Sequence, residues 1–322
     1  MKNIYVTDLR EGISLFDENF VVKSIKRMMT KQEKPYLDLE LSDRTGNIRG
    51  KVWPDNLDKC AEVKEGEVVS IDALVENYNG ALQLKIMALK IENNFNQADY
   101  QPVSKKDKQE MLTVITSSIR RIKNKHLKSL LDNIFTADFL KDFSEASASY
   151  RLHHAYRSGL LEHTSEMLTL SDAILSQYPK MNSDLLTTGV LLHDIGKIVE
   201  YKTSTTITIT TEGKLLGHIF IGASHIKEKA PKDIPEDLLN EVLHLVLSHH
   251  GSLEFGSPIL PKTSEALALS SIDDTSAKIN SSYIAIHDSG EDAEFTTYYR
   301  HLGTELYRSP YLDNLTNEDI PF

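Results

Sequence analysis

The stretch Leu191-Leu192-His193-Asp194-Ile195-Gly196-Lys197 places an imidazole and a carboxylate side by side at the end of an apolar run. The residues before the pair, Gly189-Val190-Leu191-Leu192, predict that this segment is buried. Side chains of this kind are seldom buried unless they are paired or bind a metal, because desolvating them is costly. The dipeptide alone fits either a structural hydrogen bond at a helix end or a pair of metal ligands.

Further candidate ligands recur on both sides of this pair. His163 precedes it, and His218, the pair His249-His250 and Asp273 follow it. The successive steps are 30 residues from His163 to His193, 25 to His218, 31 to His249 and 24 to Asp273. Each interval accommodates one helix and its connection. A helical bundle in which successive helices each contribute an inward ligand is a known way of building a di-metal site.

Helical periodicity predicts that His163 and Asp273 both point into the core of this bundle. The stripe that contains His163 is Leu160, His163, Met167, Leu170 and Ile174. The stripe that contains Asp273 is Ala266, Leu269, Asp273 and Ala277. A carboxylate in such a position needs a cation nearby.

The order His, His-Asp, His, His-His, Asp resembles that of the HD-domain metal-dependent phosphohydrolases. The flanks His153–Thr164 and Glu254–Pro258, and a lysine three residues after the Asp of the His-Asp pair, strengthen the resemblance. Within that group the chain is most similar to the YhaM-type 3'-5' exoribonucleases of Firmicutes, which join an OB-fold to an HD domain. The resemblance extends from about residue 12 to about residue 308. It implies a metal-dependent enzyme that hydrolyses single-stranded RNA to nucleoside 5'-monophosphates, with single-stranded DNA as a further candidate substrate.

Ligand roles follow from this reading of the site. We expect His163, His193, Asp194 and Asp273 to bind one metal, with Asp194 bridging to a second metal. His218, together with His249, His250 or both, would complete the second site. Imidazole and carboxylate ligands without thiolate suit Mn²⁺, Fe²⁺, Co²⁺ or Zn²⁺, and the resemblance favours Mn²⁺.

Asp194 and Lys197 are the candidate catalytic residues. Lys197 is placed to contact a phosphate oxygen as charge develops, although an ordinary surface lysine is the alternative. His153 and His154 are expected to form core or hydrogen-bonding contacts behind the ligands. Where the family usually has a histidine shortly before the last aspartate, this chain has Ser270-Ser271, so whether Asp273 or Asp274 faces inward depends on helical phase.

The first part of the chain has the pattern of a five-stranded OB-fold β-barrel. Strands are expected at 20–28, 36–41, 46–53, 68–76 and 82–89, with a hairpin turn at Asn79-Gly80. Such barrels commonly bind oligonucleotides on their second and third strands. The candidate nucleic-acid-binding residues there are Tyr36, Arg49, Lys51 and Trp53; the alternative for Trp53 is a place in the barrel core.

A helix is expected to begin at Gln109 and to run to about Leu127, with a basic side that includes Arg120 and Arg121. These arginines are either a solvated face or further nucleic-acid contacts. The fold class is therefore multidomain: 1–95 an OB-fold nucleic-acid-binding domain, 96–150 a linker and helical connector, 151–290 an all-α HD domain, and 291–322 a C-terminal tail. A short hairpin is expected near residues 203–211.

Composition limits the classes of function. The formal net charge of −11 argues against tight non-specific binding to duplex DNA. One cysteine and no apolar run of signal-peptide or membrane-spanning length predict a cytoplasmic protein without a membrane partner, and a homo-oligomer is compatible with the sequence. Two alternatives to the exoribonuclease are an HD-type phosphodiesterase or nucleotidase acting on cyclic dinucleotides or nucleotides, and a nucleic-acid-binding factor whose metal site is structural.

Overall fold

The computed structural model describes residues 2–150, 153–289 and 293–309, and it divides into two compact units. The first unit comprises Met1–Val103 and Thr203–Thr206, and the second comprises Ser104–Lys202 and Ile207–Phe322. The first unit extends past residue 95 because Tyr100 is buried against Val21 and Val68. The finer division into four segments remains a prediction.

The first unit contains a closed five-stranded barrel, as the sequence predicts for an OB-fold. Its strands are β1 Ser14–Met29, β2 Pro35–Asp43, β3 Gly46–Val52, β4 Val68–Tyr78 and β5 Ala81–Ile91, in the order β1-β2-β3-β5-β4. β3 and β5 pair in parallel, and the other neighbours are antiparallel. A 3₁₀ segment, Pro54–Lys59, lies between β3 and β4.

Alternation of side chains fills this barrel. Every second residue of β2 and β3 points inward, including Leu39, Leu41, Ile48 and Val52. The intervening side chains, such as Arg49, lie on the outer surface. Alternate residues of these two strands therefore build the core, and most of the intervening ones face outward.

The second unit is helical. Its helices are α1 Lys108–Arg121, α2 Lys125–Ile134, α3 Ala137–Glu145, α4 Gly159–Gln177, α5 Ser183–Leu192, α6 Lys197–Glu200, α7 Thr211–Lys229, α8 Glu236–Ser248 and α9 Ser264–Asp288. Two short strands, β6 Tyr201–Thr203 and β7 Ile207–Ile209, form the expected hairpin. Within the described ranges, none of the helices combines the length and apolarity needed to cross a membrane.

Two expectations for these helices are wrong. The helix predicted from Gln109 to Leu127 is instead two helices, because α1 ends before Ile122. The Asn124 side chain starts α2 by accepting hydrogen bonds from the backbone N–H groups of His126 and Leu127. Leu170, expected in the buried stripe of α4, is 37% exposed. The buried arc of α4 instead includes Thr164, Met167 and Ser171, the side on which α1, α5 and α9 pack, and Leu170 lies beyond its edge.

Substituting Leu245 tests the core of the second unit. Leu245 on α8 is fully buried and is part of the main helical core. We expect Leu245→Ala to lower the free energy of unfolding by about 2–5 kcal/mol, because it leaves a cavity that the neighbours only partly fill. Urea unfolding followed by circular dichroism at 222 nm measures this change. Leu215→Ala is the control, since Leu215 is 77% exposed and its truncation should leave the midpoint nearly unchanged.

Candidate metal centre

The His-Asp pair lies where α5 ends and α6 begins. His193 follows directly after Leu192, the last residue of α5, and its Nδ1 lies 2.8 Å from the carbonyl oxygen of Val190. Because a carbonyl only accepts, Nδ1 carries the proton and the lone pair of Nε2 is left to face the site. His193 is completely buried and Asp194 is 2% exposed.

A close backbone approach brings α7 against this pair. A Cβ atom built on Gly196 would lie 2.0 Å from the carbonyl oxygen of His218, so only glycine permits the contact. Gly217 has φ 71° and ψ 153°, which kinks α7 one residue before His218. These two glycines allow His218 to reach Asp194.

The first ligand cluster consists of His163, His193 and Asp273, whose candidate ligand atoms all lie within 4.8 Å of one another. The Nε2 atom of His163 is 3.1 Å from Oδ1 of Asp273 and 3.4 Å from Nε2 of His193. These residues come from α4, the end of α5 and α9. The neighbouring carboxylate, Asp274, is exposed and pairs with Lys278, which settles the helical phase in favour of Asp273.

The second ligand cluster consists of His218, His249 and His250, and its candidate ligand atoms also lie within 4.8 Å of one another. The Nδ1 atoms of His249 and His250 each lie 2.7 Å from a backbone carbonyl oxygen, of Val246 and Phe255 respectively. The Nδ1 atom of His218 lies 3.1 Å from the Glu200 carboxylate. Each ring therefore has its Nδ1 held, which leaves Nε2 to act as a ligand.

Asp194 lies between the two clusters, and each of its oxygens faces one of them. Oδ2 is 3.2 Å from Nε2 of His193, whereas Oδ1 is 3.4 Å from Nε2 of His218 and 3.6 Å from Nε2 of His249. Lys197 contributes its Nζ at 2.6 Å from Oδ2. This arrangement is suited to a carboxylate that bridges two cations.

Unpaired buried atoms test whether these residues fit a metal. Among the described residues, Oδ1 of Asp194 and the Nε2 atoms of His218 and His249 are buried and have no hydrogen-bond partner. Leaving three such atoms unpaired would cost about 1–3 kcal/mol each. A divalent cation would satisfy all three, and nitrogen and carboxylate oxygen are suitable donors for one. The residues therefore fit a divalent metal.

At Asp194 and His249 the electrostatics favour the protonation states that ligands require, whereas burial would lower the pKa of His193 but the neighbouring Asp194 outweighs burial and raises it. Burial would raise the pKa of Asp194, but Lys197 and His193 outweigh it and hold the pKa well below its usual value. Burial and the neighbouring His250 lower the pKa of His249 well below that of a free imidazole. An ionised carboxylate and a neutral imidazole are the forms that bind a metal.

The remaining predicted residues of this unit occupy varied positions. His154 is fully buried, and its Nε2 lies 3.2 Å from the Glu166 carboxylate, so the expected hydrogen-bonding role stays a prediction. The ring of His153 lies 5.4 Å from that of His163 and 6.0 Å from that of His301, measured between centroids. The His301 contact brings the described part of the tail, 293–309, close to the first ligand cluster.

Sequence reasoning missed the polar side chains that contact the ring nitrogens facing away from the ligand clusters. Glu200 contacts His218, and Glu166 contacts the ligand system through Ser276. Glu166 and Ser276 do carry a signal, since each lies three residues after a ligand on its helix and so shares the ligand's face.

The outer face of the barrel holds an aromatic pair. Tyr36 and Trp53 stack with ring centroids 5.3 Å apart and planes 26° apart, and both are half-buried outside the barrel core. The Nζ atom of Lys51 lies 5.6 Å from the Trp53 ring and 5.4 Å from the ring of Tyr78, which sequence reasoning did not select. Arg49 is exposed. The alternative that Trp53 belongs to the core is therefore wrong.

The two arginines of α1 differ from each other. Arg121 forms two-pronged hydrogen bonds with Asp172 of α4. Arg120 is exposed. The prediction that both contact nucleic acid stays a prediction.

Comparisons with known proteins match both units. The HD domain family model matches residues 160–278, and the model of the OB-fold nucleic acid binding domain matches residues 21–92. The 3'-5' exoribonuclease YhaM of Geobacillus sp. (strain WCH70) is 32% identical over 268 residues, which cover 82% of each chain. The 3'-5' exoribonuclease YhaM of Bacillus subtilis (strain 168) is 34% identical over 285 residues, 87% of this chain and 89% of that protein. The second OB-fold domain of replication protein A from Methanococcus maripaludis, a solved structure, matches 30% of this chain and 100% of its own at 24% identity and a TM-score of 0.23.

Substituting Gly196 tests the backbone contact that assembles the centre. Gly196→Ala would force the α6 start and His218 apart, because the new methyl group would lie 2.0 Å from a backbone oxygen. We expect a loss of bound metal, measured by elemental analysis of the purified protein, together with a lower melting temperature. Gly222→Ala is the matched control on the opposite side of the same contact, where the nearest atom to an added Cβ is 3.4 Å away. Equal metal contents in the two variants would contradict this account.

Proposed function

Because the chain belongs to the YhaM family of 3'-5' exoribonucleases, we propose that it removes nucleotides from the 3' end of single-stranded RNA and releases nucleoside 5'-monophosphates. The observation that carries the proposal is the convergence of the two ligand clusters on the Asp194 carboxylate. The resemblance to the HD-domain phosphohydrolases supports hydrolytic chemistry at this centre, and the match to the OB-fold nucleic acid binding domain supports nucleic-acid binding by the first unit.

We assign the ligands as the sequence predicts. His163, His193, Asp194 and Asp273 would hold one divalent cation, and Asp194, His218, His249 and His250 would hold a second. Cations held there would make hydroxide available at neutral pH and would offset the negative charge of the phosphate. We propose Mn²⁺ as the resident ion, with Fe²⁺, Co²⁺ and Zn²⁺ as its competitors.

Lys197 is the side chain proposed to supply positive charge to the phosphate, in addition to the cations. It is 6% exposed, and its Nζ is held by Asp194 at the edge of the first ligand cluster. An ammonium group fixed in a dry site stabilises charge that develops on a phosphate oxygen more strongly than one in water. In this proposal Lys197 orients the scissile phosphate while Asp194 holds the cations.

The stacked pair of Tyr36 and Trp53 is proposed to bind the bases of the strand, and Lys51 with Arg49 its phosphates. Aromatic stacking is indifferent to sequence and sugar, so single-stranded DNA is a second substrate on this proposal. Arg120 and Arg121 are proposed as further phosphate contacts. We further propose a cytoplasmic location, which agrees with the single cysteine, and a homo-oligomer is compatible with this proposal.

Metal removal tests the activity. We expect EDTA to abolish degradation of a 5'-labelled oligoribonucleotide and Mn²⁺ to restore it, with a ladder that shortens from the 3' end. Asp273→Asn should lower the rate by at least about 100-fold because it removes a charged ligand. Asp274→Asn is the matched control, since that carboxylate is exposed and pairs with Lys278.

Two outcomes would contradict the proposed activity. One is normal degradation by a His193→Ala, Asp194→Ala protein. The other is turnover of cyclic dinucleotides or free nucleotides without turnover of the oligoribonucleotide. A third result, metal-independent RNA binding with no hydrolysis, would indicate a binding factor with a structural metal.

Truncating Trp53 tests the barrel surface. Since stacking on an aromatic ring contributes about 1–3 kcal/mol per base, Trp53→Ala should raise KM for a long oligoribonucleotide by about 5- to 150-fold with little change in kcat. Steady-state kinetics on RNA and DNA oligonucleotides of equal length measure this and give the substrate preference. Tyr178→Ala is the control, an exposed aromatic residue of the second unit. An unchanged KM would remove Trp53 from the binding surface.

A further inference from the structure

Both ring nitrogens of the ligand His163 are engaged, although a metal can use only one of them. Nε2 faces Asp273 and His193 inside the first ligand cluster. Nδ1 faces the other way and lies 3.0 Å from the hydroxyl oxygen of Ser276. Unlike His193, His249 and His250, whose Nδ1 atoms meet backbone carbonyls, His163 therefore depends on a side chain for its orientation.

Ser276 in turn donates its hydroxyl proton to Oε2 of Glu166 at 3.0 Å. An ionised carboxylate can only accept, so the direction of this hydrogen bond is fixed. The oxygen of Ser276 is then left to accept the Nδ1 proton of His163. The chain of contacts from Glu166 through Ser276 thus selects the tautomer of His163 in which Nε2 offers its lone pair to the cluster.

Glu166 is kept ionised by two further partners. Nζ of Lys106 contacts its Oε1, and Nε2 of His154 lies 3.2 Å from its Oε2. Burial would raise the pKa of Glu166, but His154 and Lys106 outweigh it and lower the pKa to about 2. The carboxylate is therefore a permanent acceptor at neutral pH.

The hydrogen-bond chain from Glu166 through Ser276 to His163 joins two helices, each of which carries one ligand and one supporting residue. Glu166 lies three residues after His163 on α4, and Ser276 lies three residues after Asp273 on α9. Residues with this spacing share one face of a helix. The two helices thus meet through the ligand pair in front and through Ser276 and Glu166 behind it.

We infer that Ser276 and Glu166 are positioning residues that fix the orientation and tautomer of His163 and so set the affinity of the first ligand cluster for its metal. This inference rests on the metal centre assigned under the proposed function. Outer partners of metal-bound histidines typically change metal affinity by about 10- to 100-fold when they are removed. None of the comparisons assigns a role to either residue.

The same region offers a competing explanation. His154, Glu162 and Glu166 have candidate ligand atoms within 4.8 Å of one another and could hold a cation of their own. Lys106 already supplies positive charge there, since its Nζ lies 3.3 Å from Oε1 of Glu162 and also contacts Glu166. We therefore assign Glu166 to the hydrogen-bond chain with Ser276 and His163 and not to a separate cation site.

Titration of the metal-free full-length protein with Mn²⁺, followed by electron paramagnetic resonance, tests the inference without relying on RNA hydrolysis. Ser276→Ala should weaken binding at one site by about 10- to 100-fold without changing the number of ions bound at saturation. Ser276→Thr keeps the hydroxyl and should restore most of the affinity. Glu166→Gln keeps an acceptor oxygen without its charge and should give an intermediate affinity.

Ser271→Ala is the matched control. Ser271 lies on the same helix, is exposed, and donates its hydroxyl to the Leu267 carbonyl of its own helix. It should bind Mn²⁺ as the unmodified protein does. With the oligoribonucleotide, Ser276→Ala should need more Mn²⁺ for half-maximal activity and regain nearly full kcat at saturating Mn²⁺, which general loss of structure would not produce.

Three results would overturn the inference. One is unchanged Mn²⁺ affinity in both Ser276→Ala and Glu166→Gln. Another is the loss of one bound ion in Glu166→Gln, which would make Glu166 a ligand of a separate site. The last is an equal loss of affinity in Ser276→Ala and Ser276→Thr. Failure of the proposed function looks different: the unmodified protein would bind Mn²⁺ and leave RNA intact, and the comparison of affinities would still stand.

Discussion

The buried carboxylate of Asp194 is the constraint on which the second unit depends. A charged group that is 2% exposed is destabilising unless other charges and dipoles replace its lost hydration. Here the replacement comes from Lys197 on one oxygen and from imidazoles on both. Each of these partners is delivered by a different turn of the bundle, so the helices must assemble for the carboxylate to be tolerated. The free-energy cost of burying Asp194 is therefore offset only when these helices pack as they do in this fold.

The backbone makes that assembly possible at one place above all. Gly196 starts α6 immediately after the His-Asp pair and lies against the carbonyl of His218, a contact that any side chain would prevent. Gly217 then redirects α7 so that His218 turns toward Asp194. The second ligand cluster is therefore joined to the first by a main-chain contact as well as by the side-chain contacts of Asp194, and the main-chain contact explains why two glycines lie near the ligands.

Around the ligands, a second set of polar groups determines which nitrogen of each ring is free. Backbone carbonyls hold Nδ1 of His193, His249 and His250, and carboxylate-linked groups hold that of His163 and His218. The barrel has no comparable set of buried ligands among its described residues. Its inner residues pack, and its outer residues leave an aromatic pair and a lysine on the surface. The proposed chemistry and the proposed strand binding thus rely on different physics within one chain: desolvated, oriented side chains in the helical unit and a half-buried aromatic pair on the outer face of the barrel.

The sequence by itself determined the class of both units. Two-residue alternation specified the barrel strands to within a few residues, except at the start of β1, because alternation is a local consequence of burying one face of a sheet. The order and spacing of histidines and aspartates likewise predicted the family and the candidate ligands, because successive helices each contribute one or two of them. The same local reasoning placed Leu170 in the core and ran one helix through Asn124, since periodicity does not say which neighbours cover a helix or where a cap competes.

Only the tertiary structure decided which atoms meet. The choice of Asp273 over Asp274, the two faces of Asp194, and the partners of His163 and His218 all depend on contacts between residues that are far apart in the chain. Glu166 and Ser276 are 110 residues apart; each shares a helix face with a ligand, but no local pattern shows that the two side chains meet. Local patterns fix which face of a helix is buried, but the packing of that face against another helix fixes the hydrogen bonds, and these orient the ligands.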